Sequence, residues 1–268
     1  MANRIAQCFE KLKKENKTGL VAYITAGDPQ LTATGNLIEC FEQAGVDILE
    51  LGVPFSDPLA DGLVNQLAAQ RGLEAGTTLE GILQTVKKAR KTCSIPIVLF
   101  TYLNPVDRYG IERLCHDAAE AGVDGVLILD LPPEEISPEI ENYFTQNNLA
   151  RIVLVAPTTP AERIKMITQT ASGFVYYISR EGVTGMQSSV ATAVPERIAL
   201  LRSITPLPIV VGFGVANPEH VKEIAQYSDG VVVGSAIVDR IGKLGDSPSM
   251  PEEVTRFVKT LVAAAKAG

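Results

Sequence analysis

Glu50 is the side chain of this sequence with the clearest potential for acid–base chemistry. It lies in the run Ile48-Leu49-Glu50-Leu51-Gly52, whose apolar residues predict a buried β-strand. Burial removes a carboxylate from water and raises its pKa toward the range that suits a general acid or base. A buried glutamate can instead be held by a structural ion pair, so both interpretations stay open at this stage.

Three aspartates lie in predicted loops. Asp57 and Asp61 belong to residues 54–62, which have the sequence Pro-Phe-Ser-Asp-Pro-Leu-Ala-Asp-Gly, and Asp130 precedes a Leu-Pro-Pro sequence. Aspartate is a common turn former, so each of them is either a turn residue or part of a site. Three tyrosines in or just after predicted strands either fill the core or line a pocket for a flat apolar group: Tyr23, Tyr102 and Tyr176.

Other residue types that often carry catalysis are absent from the ends of the predicted strands. His116 and His220 fall within predicted helices, and every lysine lies in a predicted helix or a terminal segment. A catalytic metal needs clustered ligands, and a Schiff base needs a lysine that projects into the site. The cysteines show no metal-binding spacing: Cys8, Cys40, Cys93 and Cys115. The sequence therefore predicts metal-free chemistry carried by carboxylates.

Short apolar, β-branched runs bounded by Gly, Pro or Asp predict the strands that position these residues. They are residues 20–25, 48–51, 97–101, 125–129, 151–155, 174–178, 209–211 and 230–233. Amphipathic stretches of helical length alternate with them, at residues 31–44, 79–91, 111–121, 134–147, 161–170, 194–204 and 218–227, with a pair of helices after Ser235. This alternation predicts one domain over residues 1–268, an α/β protein with a (β/α)8 TIM barrel that turns Glu50 inward. An open doubly wound sheet is the alternative.

Three further segments refine this prediction. Residues 1–17 mix charged and apolar residues at helical spacing, which predicts an additional N-terminal helix rather than a targeting segment. The sequence Ala-Gly-Val-Asp at 44–47 recurs at 121–124, and each of its glycines is predicted to cap a helix. The loops at 52–77 and 179–193 are too long for plain connections and follow strands at the carboxyl ends, the face where such barrels carry their active sites.

Glycines after the last two predicted strands have the composition of a phosphate-binding site. Gly212-Phe213-Gly214 and Gly234-Ser235 each precede a predicted helix. Glycine lets a ligand approach the backbone, and the helix that follows offers unpaired N–H groups. Barrels commonly bind phosphate here, although ordinary tight turns have the same composition. Gly185 in the sixth loop can add another amide.

The charge and the cysteine content limit the classes of partner. The net charge of −7 and the pI near 5.0 leave no basic patch for a nucleic acid or an anionic membrane. The apolar runs are too short to span a bilayer. Unpaired, widely spaced cysteines are typical of reduced thiols in the cytoplasm. Small molecules and other proteins are therefore the expected partners.

Taken together, three segments make the chain resemble the tryptophan synthase alpha subunit family. They are residues 23–29 (Tyr-Ile-Thr-Ala-Gly-Asp-Pro), residues 49–62 with the loop sequence given above, and residues 182–185 (Gly-Val-Thr-Gly). The second segment is highly specific, and the glycine motifs at 212–214 and 234–236 follow in the family's order and spacing. The resemblance covers almost the whole chain.

The resemblance implies a lyase that cleaves indole-3-glycerol phosphate to indole and glyceraldehyde 3-phosphate, with no metal or organic cofactor in this chain. The glutamate that matches Glu50 protonates indole C3 and helps to take the proton of the glycerol hydroxyl, while the aspartate that matches Asp61 accepts the indole N–H. Positional match implies an indole pocket lined by Tyr23, Phe100, Tyr102, Tyr176 and Val232. It also implies a phosphate site made by Gly185, Gly212, Phe213, Gly214, Gly234 and Ser235. Thr184 would bridge the sixth loop to Asp61.

The resemblance further implies a partner. Family members pair with a pyridoxal-phosphate β subunit, which receives the indole through an internal tunnel in an α2β2 complex. The loop around Asp57 is the expected contact and signalling element. Closure of loops over the substrate excludes water, so binding of the partner can raise activity by shifting loop populations.

Three positions depart from the family pattern, and two rival functions remain. Leu63 and Asn65 stand where the family usually has a proline and an apolar residue, and Tyr23 stands where phenylalanine is commoner. Loss of the proline frees the loop that carries Asp61. One rival is a weakly active subunit that serves as an allosteric activator of the β subunit, which retention of Glu50, Asp61 and Thr184 argues against. The other is a sugar-phosphate isomerase with the same barrel, which does not account for the match over residues 54–62.

Overall fold

A closed barrel of parallel β-strands forms the centre of the computed structural model, which describes residues 3–178, 193–212 and 214–268. The strands are β1 (Gly19–Thr25), β2 (Ile48–Gly52), β3 (Ile97–Thr101), β4 (Gly125–Ile128), β5 (Ala150–Val155), β6 (Val175–Ile178), β7 (Ile209–Gly212) and β8 (Gly230–Val233). They pair in chain order, and β8 pairs back to β1, with Gly230 opposite Gly19. The predicted barrel is confirmed, and the open sheet is wrong.

Helices surround the barrel in the layer that the alternating pattern predicts. They are α1 (Arg4–Lys14), α2 (Leu31–Ala44), α3 (Leu63–Glu74), α4 (Leu79–Ala89), α5 (Leu103–Tyr109), α6 (Ile111–Ala121), α7 (Pro138–Gln146), α8 (Ala161–Gln169), α9 (Ala193–Ile204), α10 (Pro218–Ala225), α11 (Ser235–Leu244) and α12 (Met250–Lys266). Gly45 and Gly122 follow α2 and α6 with φ of 86° and 90°. This left-handed conformation suits glycine, so the predicted caps are confirmed.

Two helices lie where the sequence predicts none. The predicted loop at 52–77 contains α3, whose Leu63, Leu67 and Leu73 are exposed, so its apolar residues do not form the single stripe that reveals a surface helix. Helix α5 is only seven residues long, which is too short to show a helical period. The helix predicted at 134–147 is divided, because Ser137 caps a new helix that Pro138 begins.

Side chains alternate between the barrel interior and the helical layer. Ile48 of β2 belongs to the interior cluster, whereas its neighbours Leu49 and Leu51 pack against the helices. Ile5 and Phe9 of α1 join the interior cluster beside the starts of the strands, so the predicted N-terminal helix closes the amino-terminal end of the barrel. The carboxyl-terminal end is left for a site.

The amino-terminal end is further held by a repeated aspartate. Asp47, Asp124 and Asp229 each precede a strand, and each carboxylate accepts the N–H of a residue in the preceding strand over 2.7–2.8 Å. The repeat that the sequence shows at 44–47 and 121–124 therefore performs one structural task. No helix within the described residues has the length and apolarity needed to cross a membrane.

Candidate functional site

Glu50 lies inside the barrel, as the alternation of side chains predicts. It is opposite Tyr23 of β1 and Val98 of β3, and its exposed fraction is 0%. Neither carboxylate oxygen has a hydrogen-bond partner among the residues that the structure describes. Burial raises the pKa of Glu50 from 4.5 to about 8. The described residues thus provide no structural ion pair, and Glu50 is a protonated acid at neutral pH.

Two buried tyrosines stand beside Glu50. The Tyr23 hydroxyl lies so close to Gly52 that any side chain at that position would collide with it, and the Tyr176 hydroxyl lies equally close to Gly212. Phe100 meets the Tyr23 ring edge-on, with 5.2 Å between the ring centroids. Burial, followed by the negative charges of nearby carboxylates, raises the pKa of both phenols. Both tyrosines are therefore uncharged side chains beside Glu50.

Asp61 is tied to the end of β3 by a tyrosine 41 positions away. The Tyr102 hydroxyl donates to Asp61 Oδ2 over 2.8 Å and accepts the N–H of Ala60 over 3.1 Å. Burial raises the pKa of Asp61, while hydrogen bonds from Tyr102 and Asn65 act in the opposite direction. Phe55 packs against the Tyr102 ring, with 5.2 Å between centroids. The loop carrying Asp61 is thus folded back over the barrel.

Helix α3 supplies contacts that the sequence analysis missed. Asn65 donates to Asp61 Oδ1 over 3.5 Å, and Gln66 donates to the Asp61 backbone oxygen over 2.8 Å. Arg71 binds both carboxylate oxygens of the buried Asp28 over 2.8 and 2.7 Å, which fixes α3 to the loop after β1. Asp61 lies before the helix, whose N-cap is Gly62, so no helical spacing in the sequence revealed its contact with Asn65.

The glycines predicted to bind phosphate lie at the ends of β7 and β8. Gly212 ends β7, and Gly214 has a φ of 77°. Gly234 caps α11, and an added Cβ there would lie 3.3 Å from Tyr23. Ser235 begins α11, whose first N–H groups and dipole favour an anion. Val232 is buried in the barrel interior beside Gly212.

The remaining candidates make other contacts. Asp57 is exposed and accepts a hydrogen bond from Ser56 over 2.6 Å. Asp130 accepts the Leu103 N–H over 2.6 Å at the start of α5, a capping contact. His116 and His220 lie in α6 and α10, as predicted. Within the described ranges, no three His, Cys, Asp or Glu side chains come together in a way that could hold a metal ion.

Comparisons with known proteins match this geometry over nearly the whole chain. The family model of the tryptophan synthase alpha chain matches residues 9–266. The chain is 48% identical to the tryptophan synthase alpha chain of Opitutus terrae, over 98% of this chain and 99% of the relative. The chain belongs to the tryptophan synthase alpha chain family.

Solved structures of family members agree with the fold. Tryptophan synthase subunit alpha from Legionella pneumophila superimposes with a TM-score of 0.89 at 36% identity, covering 99% of each chain. A tryptophan synthase structure from Mycobacterium tuberculosis gives a TM-score of 0.89 at 33% identity, covering 100% of each chain. As a member of this lyase family, the chain cleaves indole-3-glycerol phosphate to indole and glyceraldehyde 3-phosphate.

Three further residues are expected at the site from the family resemblance. Thr184, Gly185 and Phe213 lie outside the described residues, so the expected bridge from Thr184 to Asp61 stays a prediction. The departures from the family pattern do lie in described segments. Leu63 is 67% exposed at the start of α3, and Asn65 contacts the Asp61 carboxylate.

Proposed function

We propose that Glu50 and Asp61 carry the cleavage of indole-3-glycerol phosphate, within one barrel domain that spans residues 1–268. The observation that carries this proposal is the burial of Glu50, whose oxygens have no partner among the described residues. A carboxyl group with a pKa of about 8 is protonated at neutral pH and can donate its proton to a carbon base. Asp61, whose carboxylate accepts hydrogen bonds from Tyr102 and Asn65, is the proposed acceptor of the indole N–H.

In the proposed reaction, Glu50 donates its proton to indole C3 and Asp61 accepts the hydrogen bond of the ring N–H. The positive charge that develops on the ring is stabilised by the Asp61 carboxylate. The Glu50 carboxylate then takes the proton of the hydroxyl on the glycerol carbon that is bonded to C3. The carbon–carbon bond breaks, its electron pair returns to the indole ring, and the oxygen becomes the aldehyde of glyceraldehyde 3-phosphate. Glu50 ends protonated, so the step needs no co-reactant.

Uncharged side chains around Glu50 line the proposed indole pocket. Its members in the described residues are Tyr23, Phe100, Tyr102, Tyr176 and Val232. The proposed phosphate site uses backbone N–H groups near Gly212, Gly214, Gly234 and Ser235, together with Gly185 and Phe213. The positive end of α11 supports this site, because a phosphate bound there faces the helix dipole. The substrate would then lie across the carboxyl end of the barrel.

A β subunit is the proposed partner, in an α2β2 complex that contains pyridoxal phosphate in the partner only. Asp57 lies in the proposed contact loop, and Leu59 of the same loop is 92% exposed. Leu63 and Leu67 continue this apolar surface along α3. An apolar surface of this kind is typical of a protein interface. We place the enzyme in the cytoplasm, where reduced cysteines and a biosynthetic role are expected.

Release of glyceraldehyde 3-phosphate from indole-3-glycerol phosphate tests the proposal. The wild-type chain, Glu50→Gln and the control Glu10→Gln, which changes an exposed carboxylate in α1, are compared with and without a β subunit. Loss of the general acid is expected to lower kcat by at least about 100-fold, whereas the control keeps its activity.

The outcomes separate the proposal from its rivals. Release that depends on Glu50 and rises with the β subunit supports the lyase mechanism. Absence of release even in the complex overturns the role of Glu50 and supports the activator. Conversion without indole release supports an isomerase.

A further inference from the structure

Asn65 contacts the carboxylate to which the proposed function assigns the indole N–H. Its Nδ2 donates to Asp61 Oδ1 over 3.5 Å, while the Tyr102 hydroxyl donates to Asp61 Oδ2 over 2.8 Å. The two donors come from different elements, one from α3 and the other from the end of β3. Donors on opposite oxygens fix the plane of a carboxylate and stabilise its anion.

We infer that Asn65 is a positioning residue for the cleavage, which holds the Asp61 carboxylate in the orientation that receives the indole N–H. This inference rests on the proposed role of Asp61. Asn65 acts through Asp61 and is not itself assigned a contact with the substrate. Its importance follows from the chemistry, because only an ionised and oriented Asp61 can stabilise positive charge on the ring.

The hydrogen bond from Asn65 favours the ionised form of Asp61. Burial raises the pKa of Asp61, and the hydrogen bonds from Tyr102 and then Asn65 oppose that rise. None of the causes acting on Asp61 is a lysine or an arginine of the described residues. Within the described part of the chain, a neutral hydroxyl and a neutral amide are therefore the groups that favour the ionised form of Asp61.

Among the residues that the structure describes, the titratable groups around Asp61 and its partner Tyr102 add no positive charge. They are Tyr23 of β1, Glu50 of β2, Tyr102 after β3, Asp130 after β4 and Tyr176 of β6. The charge of Asp61 helps to raise the pKa of the three phenols, which keeps them neutral. Removal of one of these neutral donors is therefore expected to raise the pKa of Asp61 and to favour its protonated form.

The side-chain oxygen of Asn65 indicates that this residue does not serve to stabilise the fold by packing. Asn65 Oδ1 is buried and has no hydrogen-bond partner among the described residues. A buried acceptor without a partner destabilises the folded state, and an apolar side chain of similar size avoids this penalty. The apolar residue that is usual in the family would therefore suit the fold better than asparagine does. The benefit of the amide lies in its donor to Asp61.

Asn65→Leu tests the inference, with Gln66→Leu as the matched control. Gln66 is the next residue of α3 and donates to the backbone oxygen of Asp61 rather than to its carboxylate. Loss of the Asn65 donor is expected to lower kcat for indole-3-glycerol phosphate by about tenfold, with the larger loss at pH 6 and the smaller loss at pH 8.5, and with little change in KM. The pH dependence follows because Asp61 without this donor holds its proton to higher pH. Gln66→Leu is expected to keep the wild-type pH profile.

Thermal unfolding separates positioning from packing. Asn65→Leu is expected to unfold at the same temperature as the wild type or at a higher one, despite its lower kcat. A lower midpoint with an equal loss of kcat at both pH values overturns the inference in favour of packing, and an unchanged kcat overturns it outright. If cleavage depends on Glu50 but Asn65→Leu has the wild-type dependence of kcat on pH, the inference about Asn65 is overturned and the proposed function is not. Cleavage that does not depend on Glu50 overturns the proposed function as well.

Discussion

Replacement of Glu50 by glutamine is expected to stabilise the folded protein at neutral pH while it removes the proposed proton donor. Glu50 is fully buried without a described hydrogen-bond partner, so the folded state keeps it protonated up to a pKa of about 8. In the unfolded chain the carboxyl group ionises with its ordinary pKa of 4.5. Glutamine is neutral at every pH and has nearly the shape of the protonated acid.

The magnitude follows from these two pKa values. Because the folded-state pKa is raised, the contribution of Glu50 to stability is fully present below pH 4.5 and is lost as the pH rises to about 8. Each pH unit in this window lowers the free energy of unfolding of the wild type by about 1.4 kcal/mol. From pH 4.5 to pH 7 the loss amounts to about 3 kcal/mol, which Glu50→Gln does not suffer.

Urea unfolding of the wild type and Glu50→Gln at several pH values measures this difference. The variant is expected to exceed the wild type by less than about 1 kcal/mol at pH 5 and by about 3 kcal/mol at pH 7. The exposed Glu10→Gln controls for the loss of one negative charge. A difference that is the same at pH 5 and pH 7, or a variant that is less stable at pH 7, would refute the argument that Glu50 is buried and unpaired.

Three further variants test the parts of the structure that hold the site and the barrel. Tyr102→Phe removes the hydroxyl donor to Asp61, so kcat/KM for indole-3-glycerol phosphate is expected to fall by about 10-fold or more, with the larger loss at acid pH, in steady-state assays from pH 6 to 8.5. Asp124→Asn leaves Arg90, whose side chain is 12% exposed, without its ion pair and is expected to cost about 3 kcal/mol in urea unfolding. The equivalent Asp229→Asn is expected to cost less than about 1 kcal/mol, because the side chains of that ion pair are 47% and 33% exposed, against 12% and 4% for Arg90 and Asp124.

Each of these expectations can be contradicted by its own control. An equal loss of kcat/KM at all pH values in Tyr102→Phe would mean that the hydroxyl affects the loop but not the ionisation of Asp61. Equal costs for Asp124→Asn and Asp229→Asn would show that burial of the ion pair is not the source of stability at the amino-terminal end. Cleavage activity is expected to survive both aspartate substitutions, since neither residue lies near the proposed site.

The architecture could be predicted because it depends on local patterns. Each strand boundary lies within one residue of its predicted position, since short β-branched runs are bounded by glycine, proline or aspartate. Helix α3 was missed because its leucines are exposed in a segment that looks like a loop. The inward direction of Glu50 could also be predicted, because it follows from the alternation of side chains along one strand.

The electrostatics of the site could not be predicted in the same way. Whether Glu50 had an ion-pair partner depended on all the strands around it, and the sequence left that question open. Asp61 had the properties of an ordinary turn residue until Tyr102 was found against its carboxylate. Asn65 was visible only as a departure from a family pattern, and its contact with Asp61 became evident from the helical course of α3.

The sequence by itself determined the alternation of strands and helices, the number of units that closes a barrel, and the burial of an acidic residue in the second strand. These properties are set by residues that are neighbours along the chain. The tertiary structure alone decided that Glu50 has no partner among the described residues and that Asp61 meets Tyr102, 41 positions away. Closure of the barrel and the register of its strands bring such distant residues together, and no local pattern encodes the distance between them.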